Sequence, residues 1–570
     1  MLPKEIPLLR IQDLCISFPQ EGIVKEVVHS LSFELHKGET LGLVGESGSG
    51  KSVTAMAIMG LLGSGRSLTG HIEFDGLDLS LFSRKQYQSV RGSRISMIFQ
   101  EPMTSLNPVL TCGNQIAEVL MVHGKMDKEK AKEESIRLLK EVEMPRPESV
   151  FSSFPHQLSG GQRQRVMIAM ALASNPEILI ADEPTTALDV TVQKTILDLL
   201  IRLKKDRGMS MLFISHDLGL ISEVADRVLV LYRGNLVESG QVKDLFMHPK
   251  HPYTRGLLAC RPIENQGLKR LPVIGDFMEI DSSGLIIEKE ESIAVVREKY
   301  KRDSNLDRLR KEKLYTQIPF LEIVNISKRF KTVQAVKEVS FKVYPGETLG
   351  LVGESGCGKS TLGRSILRLI EPDQGSIYFE GRNIRDYSFR EMRNVRKKLQ
   401  IIFQDPYSSL NPVQSIGETL MEPLKIFGLG KSEKERKEMA MELLKKVQLL
   451  PEHFNRFPFE FSGGQRQRIG IARALSVSPE FIICDESVSA LDVSVQAQII
   501  NLLIGLREEL KLTLIFISHD LSVVRFISDR IMVMNKGIIE EEGDPDQIYF
   551  HPKSTYTQKL LDAIPKTKWQ

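Results

Sequence analysis

With 570 residues, 41% of them hydrophobic and 26% charged, the chain has room for several domains and an ordinary globular composition. Its 76 basic and 73 acidic side chains nearly cancel to a net +3, which excludes a global field drawing it to nucleic acid or to an anionic membrane surface. Five scattered cysteines (Cys15, Cys112, Cys260, Cys357, Cys484) contain no CxxC pair, which argues against a disulfide framework or zinc site and fits a reducing compartment; charges break up MLPKEIPLLRIQDL before a signal-like core forms, and no run approaches the roughly 18 apolar residues of a membrane helix.

In chain order, Leu31-Ser32-Phe33-Glu34-Leu35 alternates as a strand does, and the apolar run Thr40 to Val44 predicts a second strand that enters GESGSGKS at 45–52. That octet fits G-x-x-x-x-G-K-[ST], and Val53 to Met59 reads as a helix, so the glycines fall between strand and helix as a phosphate-cradling loop requires. Met126 to Met144, rich in Lys and Glu with Ile136, Leu139 and Val142 at helical spacing, predicts a helical subdomain. LSGGQ follows at 158–162. PEILIADE (176–183) and MLFISHD (211–217) are continuous apolar runs ending in Asp182-Glu183 and His216, the pattern of parallel strands covered on both faces. HPYTRGLL occupies 251–258. Periodicity then fades over 261–317, where acids interleave densely with bases, and this predicts a solvated charged linker with some helix.

The second half repeats the first. Val339 to Val343 and Thr348 to Val352 lead into GESGCGKS at 353–360, Lys431 to Leu450 mirrors the helical stretch, and FSGGQ (461–465), EFIICDE (480–486) and LIFISHD (514–520) follow in the same order. Lys359 lies 308 positions after Lys51, while Asp485 after Asp182 and His519 after His216 both give 303, so a few deletions separate the two copies. Such duplication decides architecture before any local feature does: 1–260 is one domain, 261–317 the linker and 318–570 the second domain.

The chemistry is that of a phosphate site. In each loop (Gly45, Glu46, Ser47, Gly48, Ser49, Gly50, Lys51, Ser52 and Val53; Gly353, Glu354, Ser355, Gly356, Cys357, Gly358, Lys359, Ser360 and Thr361) backbone N–H groups and the positive end of the following helix suit phosphate oxygens. Lys51 and Lys359 would reach the β and γ phosphates, while Ser52 and Ser360 would ligate Mg²⁺ together with Asp182 and Asp485 at the strand ends. Strand alternation would turn Glu183 and Glu486 away from those aspartates, toward an attacking water as general bases. His216 and His519, 34 residues beyond each aspartate, are read as catalytic because they recur at the same place. Ser159-Gly160-Gly161-Gln162 and Ser462-Gly463-Gly464-Gln465 place small residues at a helix start, where N–H groups and a hydroxyl can cup a γ-phosphate.

With these motifs the chain resembles ATP-binding cassette (ABC) ATPases over nearly all of both halves. The resemblance implies an α/β fold of two tandem nucleotide-binding domains, each a P-loop RecA-like core with an antiparallel β subdomain and a helical subdomain. It implies two head-to-tail ATP sites, Lys51 completed by Ser462 and Lys359 by Ser159. Phe18 and Phe330 resemble the aromatic that stacks on adenine, Gln100 and Gln404 the glutamine that touches Mg²⁺ and relays nucleotide state, and Ala187-Leu188-Asp189 and Ala490-Leu491-Asp492 the loop that couples the two sites. SLNP at 105–108 and 409–412, HPYTRGLL, and TYTQKLL at 555–561 are similar to the ATPases of dipeptide and oligopeptide importers, here with two subunits fused.

The expectation is therefore an ATP- and Mg²⁺-using ATPase, peripheral on the cytoplasmic face of the inner membrane. Its partners would be two integral membrane permease subunits and a separate solute-binding protein, with no nucleic acid and membrane contact only through the permease. The alternative is a soluble tandem-cassette ATPase acting on ribosomes or DNA, disfavoured by the near-neutral charge and the SLNP and HPYT-like segments. Two departures stand out: Phe461 replaces the usual signature leucine, and Ser487 follows Glu486 where Pro184 follows Glu183, which is expected to loosen Glu486 because proline restricts the preceding backbone. Two active sites are expected nonetheless. The cysteine cluster that binds iron and sulfur in many relatives is missing, so no such cofactor is expected.

Overall fold

A computed structural model describes residues 6–20, 23–63, 65–186, 188–262, 265, 267–281, 284–489 and 491–564. They form two compact units, one of residues 6–188 and 192–258, the other of 189–191 and 259–564.

In the first unit a six-stranded sheet carries the site. Thr40–Val44 lies centrally and pairs in parallel with Ser210–Ser215 on one side and Arg227–Tyr232 on the other; Ile178–Asp182 and Ile95–Ile98 extend it, and Asn235–Gln241 adds an antiparallel edge. All five residues of Thr40–Val44 and of Ile178–Asp182 are buried, as expected of unbroken apolar runs covered on both faces. A four-stranded antiparallel sheet, ordered Ile23–Leu35, Leu9–Gln20, Ser67–Phe74, Leu77–Asp78, packs its apolar side into the same core. The helices Cys112–His123 and Lys128–Glu141 supply the helical subdomain, and Asp127 caps the second by accepting from the Lys130 N–H at 2.9 Å.

The second unit repeats this plan. Its six-stranded sheet centres on Thr348–Val352, with Thr513–Ser518, Phe481–Asp485 and Leu399–Ile402 on one side and Arg530–Asn535 and Ile538–Gly543 on the other. Its antiparallel sheet runs Val333–Val343, Leu321–Phe330, Gln374–Phe379, Arg382–Asn383, and its helical subdomain includes Ile416–Ile426 and Glu433–Lys446.

The stretch expected as a solvated tether is folded instead. Leu268, Leu271, Phe277, Val296 and Tyr300 join the second unit's hydrophobic core, and Asn501 exchanges two 2.8 Å hydrogen bonds with the backbone N–H and C=O of Leu271. The helices Ile293–Lys299 and Ser304–Leu314 put the charges to use: Arg310 pairs with buried Asp529, and Lys311 with Asp544 at 2.9 Å. Dense charge therefore marked a coat over a narrow apolar seam.

Candidate active site

Parallel register brings the chemistry together. Val44 lies beside Ser215 and Asp182 beside Ile214, so the residues just past the strand ends, Gly45, Glu183 and His216, converge at the carboxyl edge of the sheet. Val352, Ser518, Asp485 and Ile517 stand in the same register in the second unit. Gly50 and Gly358 precede the helices Lys51–Ile58 and Lys359–Ile366 with φ of 99° and 111°, which a side chain would resist, and so aim the helix N-termini into the loops. Lys51 and Lys359 are buried, and their ammonium groups donate to the carbonyls of Gly45 and Glu46 (2.7 and 2.9 Å) and of Gly353 and Glu354 (2.7 and 2.9 Å).

Each serine after the lysine donates to the strand-end aspartate, Ser52 to Asp182 at 3.0 Å and Ser360 to Asp485 at 2.6 Å. Burial pushes the Asp182 carboxyl up to about 6 against the Ser52 hydrogen bond, and raises Asp485 likewise. Oδ2 of Asp485 is buried and accepts no hydrogen bond. An under-compensated carboxylate beside a serine hydroxyl, with a glutamine amide nearby, is an oxygen donor set that fits Mg²⁺.

Glu183 and Glu486 face the same edge, but not by strand alternation. Both strands end at the aspartate, and each glutamate adopts a left-handed φ of 46°, pinned by its N–H to the carbonyl of Ile214 or Ile517 at 3.0 Å. A non-glycine residue in that region carries strain that the surrounding contacts must hold. Around Glu183 Oε2 gather Gln100 Nε2 (3.0 Å), Thr186 Oγ1 (2.8 Å) and His216 Nδ1 (3.2 Å). Burial works to raise this carboxyl, yet His216, Thr186 and Lys51 hold it down at about 2. Glu486 is likewise lowered against burial, by His519 (3.7 Å) and Lys359 (3.5 Å), with Gln404 donating at 2.8 Å. In return Glu486 raises half-buried His519, overcoming desolvation. The missing proline leaves the backbone geometry unchanged: Glu486 repeats the φ and backbone hydrogen bond of Glu183, and Ser489 Oγ donates to its carbonyl at 3.0 Å. Thr186, absent from the sequence reading, differs from its counterpart Ser489 in reaching the carboxylate itself.

The signature serines open the helices Gly160–Leu172 and Gly463–Leu475 in capping boxes: Ser159 Oγ accepts from the Gln162 N–H at 3.3 Å and Ser462 Oγ from Gln465 N–H at 3.4 Å, while each glutamine carbonyl returns the bond at 3.0 Å. The second glycine serves packing, since a Cβ on Gly161 or Gly464 would sit 2.6 or 2.3 Å from Val192 or Val495 Cγ1. Gly160 and Gly463 keep more room. Phe461 fills the usual leucine place by packing edge-on to His453, ring centroids 5.1 Å apart. Phe18 sits half-buried against the first core, whereas Phe330 is 45% exposed with Lys328 over its ring. Ala187 and Ala490 lie outside the described residues; Leu188, Asp189, Leu491 and Asp492 within them precede the helices that follow each Asp-Glu pair.

A glycine loop fed by a central parallel strand, with Asp, Glu and His past the ends of its neighbours, defines a P-loop nucleoside triphosphatase, here present twice. The family described as ABC transporter matches residues 28–186 and 336–489, and the chain belongs to it as an ATPase with two cassettes. Residues 237–279 match the family described as Oligopeptide/dipeptide transporter, C-terminal region. Similar proteins include the glutathione import ATP-binding protein GsiA of Salmonella choleraesuis (strain SC-B67), 47% identical over 98% of this chain and 89% of that one. That of Pectobacterium atrosepticum is 44% identical over 99% and 90%. Among solved structures, the dimeric post-hydrolysis state of the ATP-binding cassette MJ0796 bound to ADP and Pi aligns with 40% of this chain and 98% of its own, at 33% identity and TM-score 0.37.

Proposed function

We propose that the two cassettes close on ATP head to tail, Ser462 with its helix N-terminus completing the Lys51 site and Ser159 the Lys359 site, and that hydrolysis lets them part. Phe18 and Phe330 would lie against adenine. Mg²⁺ would be held by Ser52, Asp182 and Gln100 in one site and by Ser360, Asp485 and Gln404 in the other, where it neutralises phosphate charge. Glu183 and Glu486, kept ionised by their clasps, orient the attacking water and take its proton; His216 and His519 fix those carboxylates. Lys51, Lys359 and the signature N–H groups stabilise the charge on the transferring phosphoryl group.

The closing motion would drive an importer of a peptide-class solute. The observation that carries this reading is the match of 237–279 to the oligopeptide/dipeptide transporter C-terminal region, joined to relatives named for glutathione import. No helix among the described residues is long and apolar enough to cross a membrane. The chain would accordingly work from the cytoplasmic face of the inner membrane through two permease subunits, which a separate binding protein supplies with solute. The ribosome-directed alternative finds no support among the relatives above. Affinity purification of the tagged chain from detergent-solubilised membranes tests the reading: two integral membrane proteins are expected to co-purify, whereas ribosomal RNA in their place would overturn it.

A further inference from the structure

In both cassettes the chain that leaves the last strand of the sheet returns to the phosphate loop. Glu238, on the strand Asn235–Gln241, accepts from the backbone N–H groups of Lys250 (2.9 Å) and His251 (3.0 Å), and Glu541, on Ile538–Gly543, accepts from those of Lys553 (2.9 Å) and Ser554 (3.0 Å). These clasps fix the start of two short helices, Pro252–Ala259 and Thr555–Asp562. From each helix a tyrosine hydroxyl meets the phosphate loop: Tyr253 Oη accepts from the Glu46 N–H and Tyr556 Oη from the Glu354 N–H, both at 3.0 Å. Tyr253 is fully buried, its ring 4.3 Å from that of Tyr232.

The gripped groups belong to one peptide unit. The Glu46 N–H and the Gly45 carbonyl are the two edges of a single rigid plane, and Lys51 Nζ rests on that carbonyl at 2.7 Å. Lys359 rests on Gly353 O at the same distance, while Tyr556 holds the Glu354 N–H of the same plane. Rotation of the plane would swing the carbonyl away from the ammonium and leave a backbone donor unpaired. The segments differ around the shared tyrosine, with His251 Nδ1 in one and Ser554 Oγ in the other accepting from the tyrosine N–H at 3.2 Å, yet the contact is the same.

We propose that Tyr253 and Tyr556 are positioning residues for ATP, each tail helix setting the aim of the lysine by holding the peptide plane on which its ammonium rests. The proposal relies on the reading that Lys51 and Lys359 take the β and γ phosphates. Replacing both lysines by alanine tests that premise separately through the loss of ATP binding.

The test uses the full chain carrying Tyr253→Phe and Tyr556→Phe, which keeps both rings and removes both hydroxyls. The KM for ATP is expected to rise about three- to tenfold, the worth of one ordinary hydrogen bond per site, with kcat within about twofold of wild type. A purely structural role would instead lower the nucleotide-free melting temperature and reduce kcat with the folded fraction, at unchanged KM. An unchanged KM in a folded double variant overturns the proposal. Should the double variant fail to fold, the single variants decide by the same KM criterion, each acting on its own cassette.

Discussion

Converting both Glu183 and Glu486 to glutamine removes the proposed bases while keeping their volume. At Glu183 one oxygen receives Gln100, Thr186 and His216 at 3.0, 2.8 and 3.2 Å, so a glutamine carbonyl still accepts from Thr186 while the second oxygen becomes a donor that cannot take a proton. General-base assistance is worth about 10²- to 10⁴-fold, so turnover should fall by that factor, a barrier increase of about 3 to 5 kcal/mol. Stability at neutral pH should fall modestly, because burial is outweighed at both glutamates by the groups that hold them ionised, His216, Thr186 and Lys51 in one site and His519 and Lys359 in the other, and a neutral amide forgoes those charge-assisted contacts. Steady-state phosphate release, titration calorimetry with Mg-ATP and a thermal melt together make the assay. A folded double variant whose turnover stays within about threefold of wild type would refute the assignment of the base.

Three further outcomes follow from contacts described above. Thr186→Val deletes the 2.8 Å donor to the Glu183 carboxylate and should lower kcat about two- to tenfold, whereas Ser489→Ala, which loses a bond to a backbone carbonyl, should cost less; phosphate release compares them. Gly464→Ala drives a Cβ to 2.3 Å from Val495 and should cost about 1 to 3 kcal/mol in a melt, with partial recovery in the Gly464→Ala, Val495→Ala pair. Asn501→Ala strands the N–H and C=O of Leu271, so it should destabilise the second cassette by about 2 kcal/mol and expose the chain near Leu271 to limited proteolysis.

Much of the site could be read in the sequence because its parts are local. A glycine loop between an apolar run and a helix, or an apolar run ending in Asp-Glu, carries both its strand and its chemistry within a dozen residues, and the structure forms the strands Thr40–Val44 and Ile178–Asp182 there. The helices Lys128–Glu141 and Glu433–Lys446 likewise fall inside the stretches with helical spacing. Contacts made at a distance stayed hidden: Tyr253 and Glu46 are 207 positions apart, and a motif that marks a subfamily does not announce a hydrogen bond to the phosphate loop. The linker misled because its charges outnumber the five core residues that anchor it, whose irregular spacing gives no period. Glu183 misled differently, since alternation assumes the strand continues and here a left-handed residue ends it. The Ser487 substitution pointed to a looser backbone, but the pin comes from the neighbouring strand's carbonyl, which proline does not supply.

The claim that each cassette completes the other's site is tested most directly by an experimental structure of the Glu183→Gln, Glu486→Gln chain loaded with Mg-ATP. Ser462 and the N–H groups of its helix start are expected within hydrogen-bonding distance, about 2.7 to 3.2 Å, of γ-phosphate oxygens bound at Lys51, with Ser159 in the same relation to ATP at Lys359. Two occupied phosphate loops with neither signature serine near the opposite γ-phosphate would contradict it.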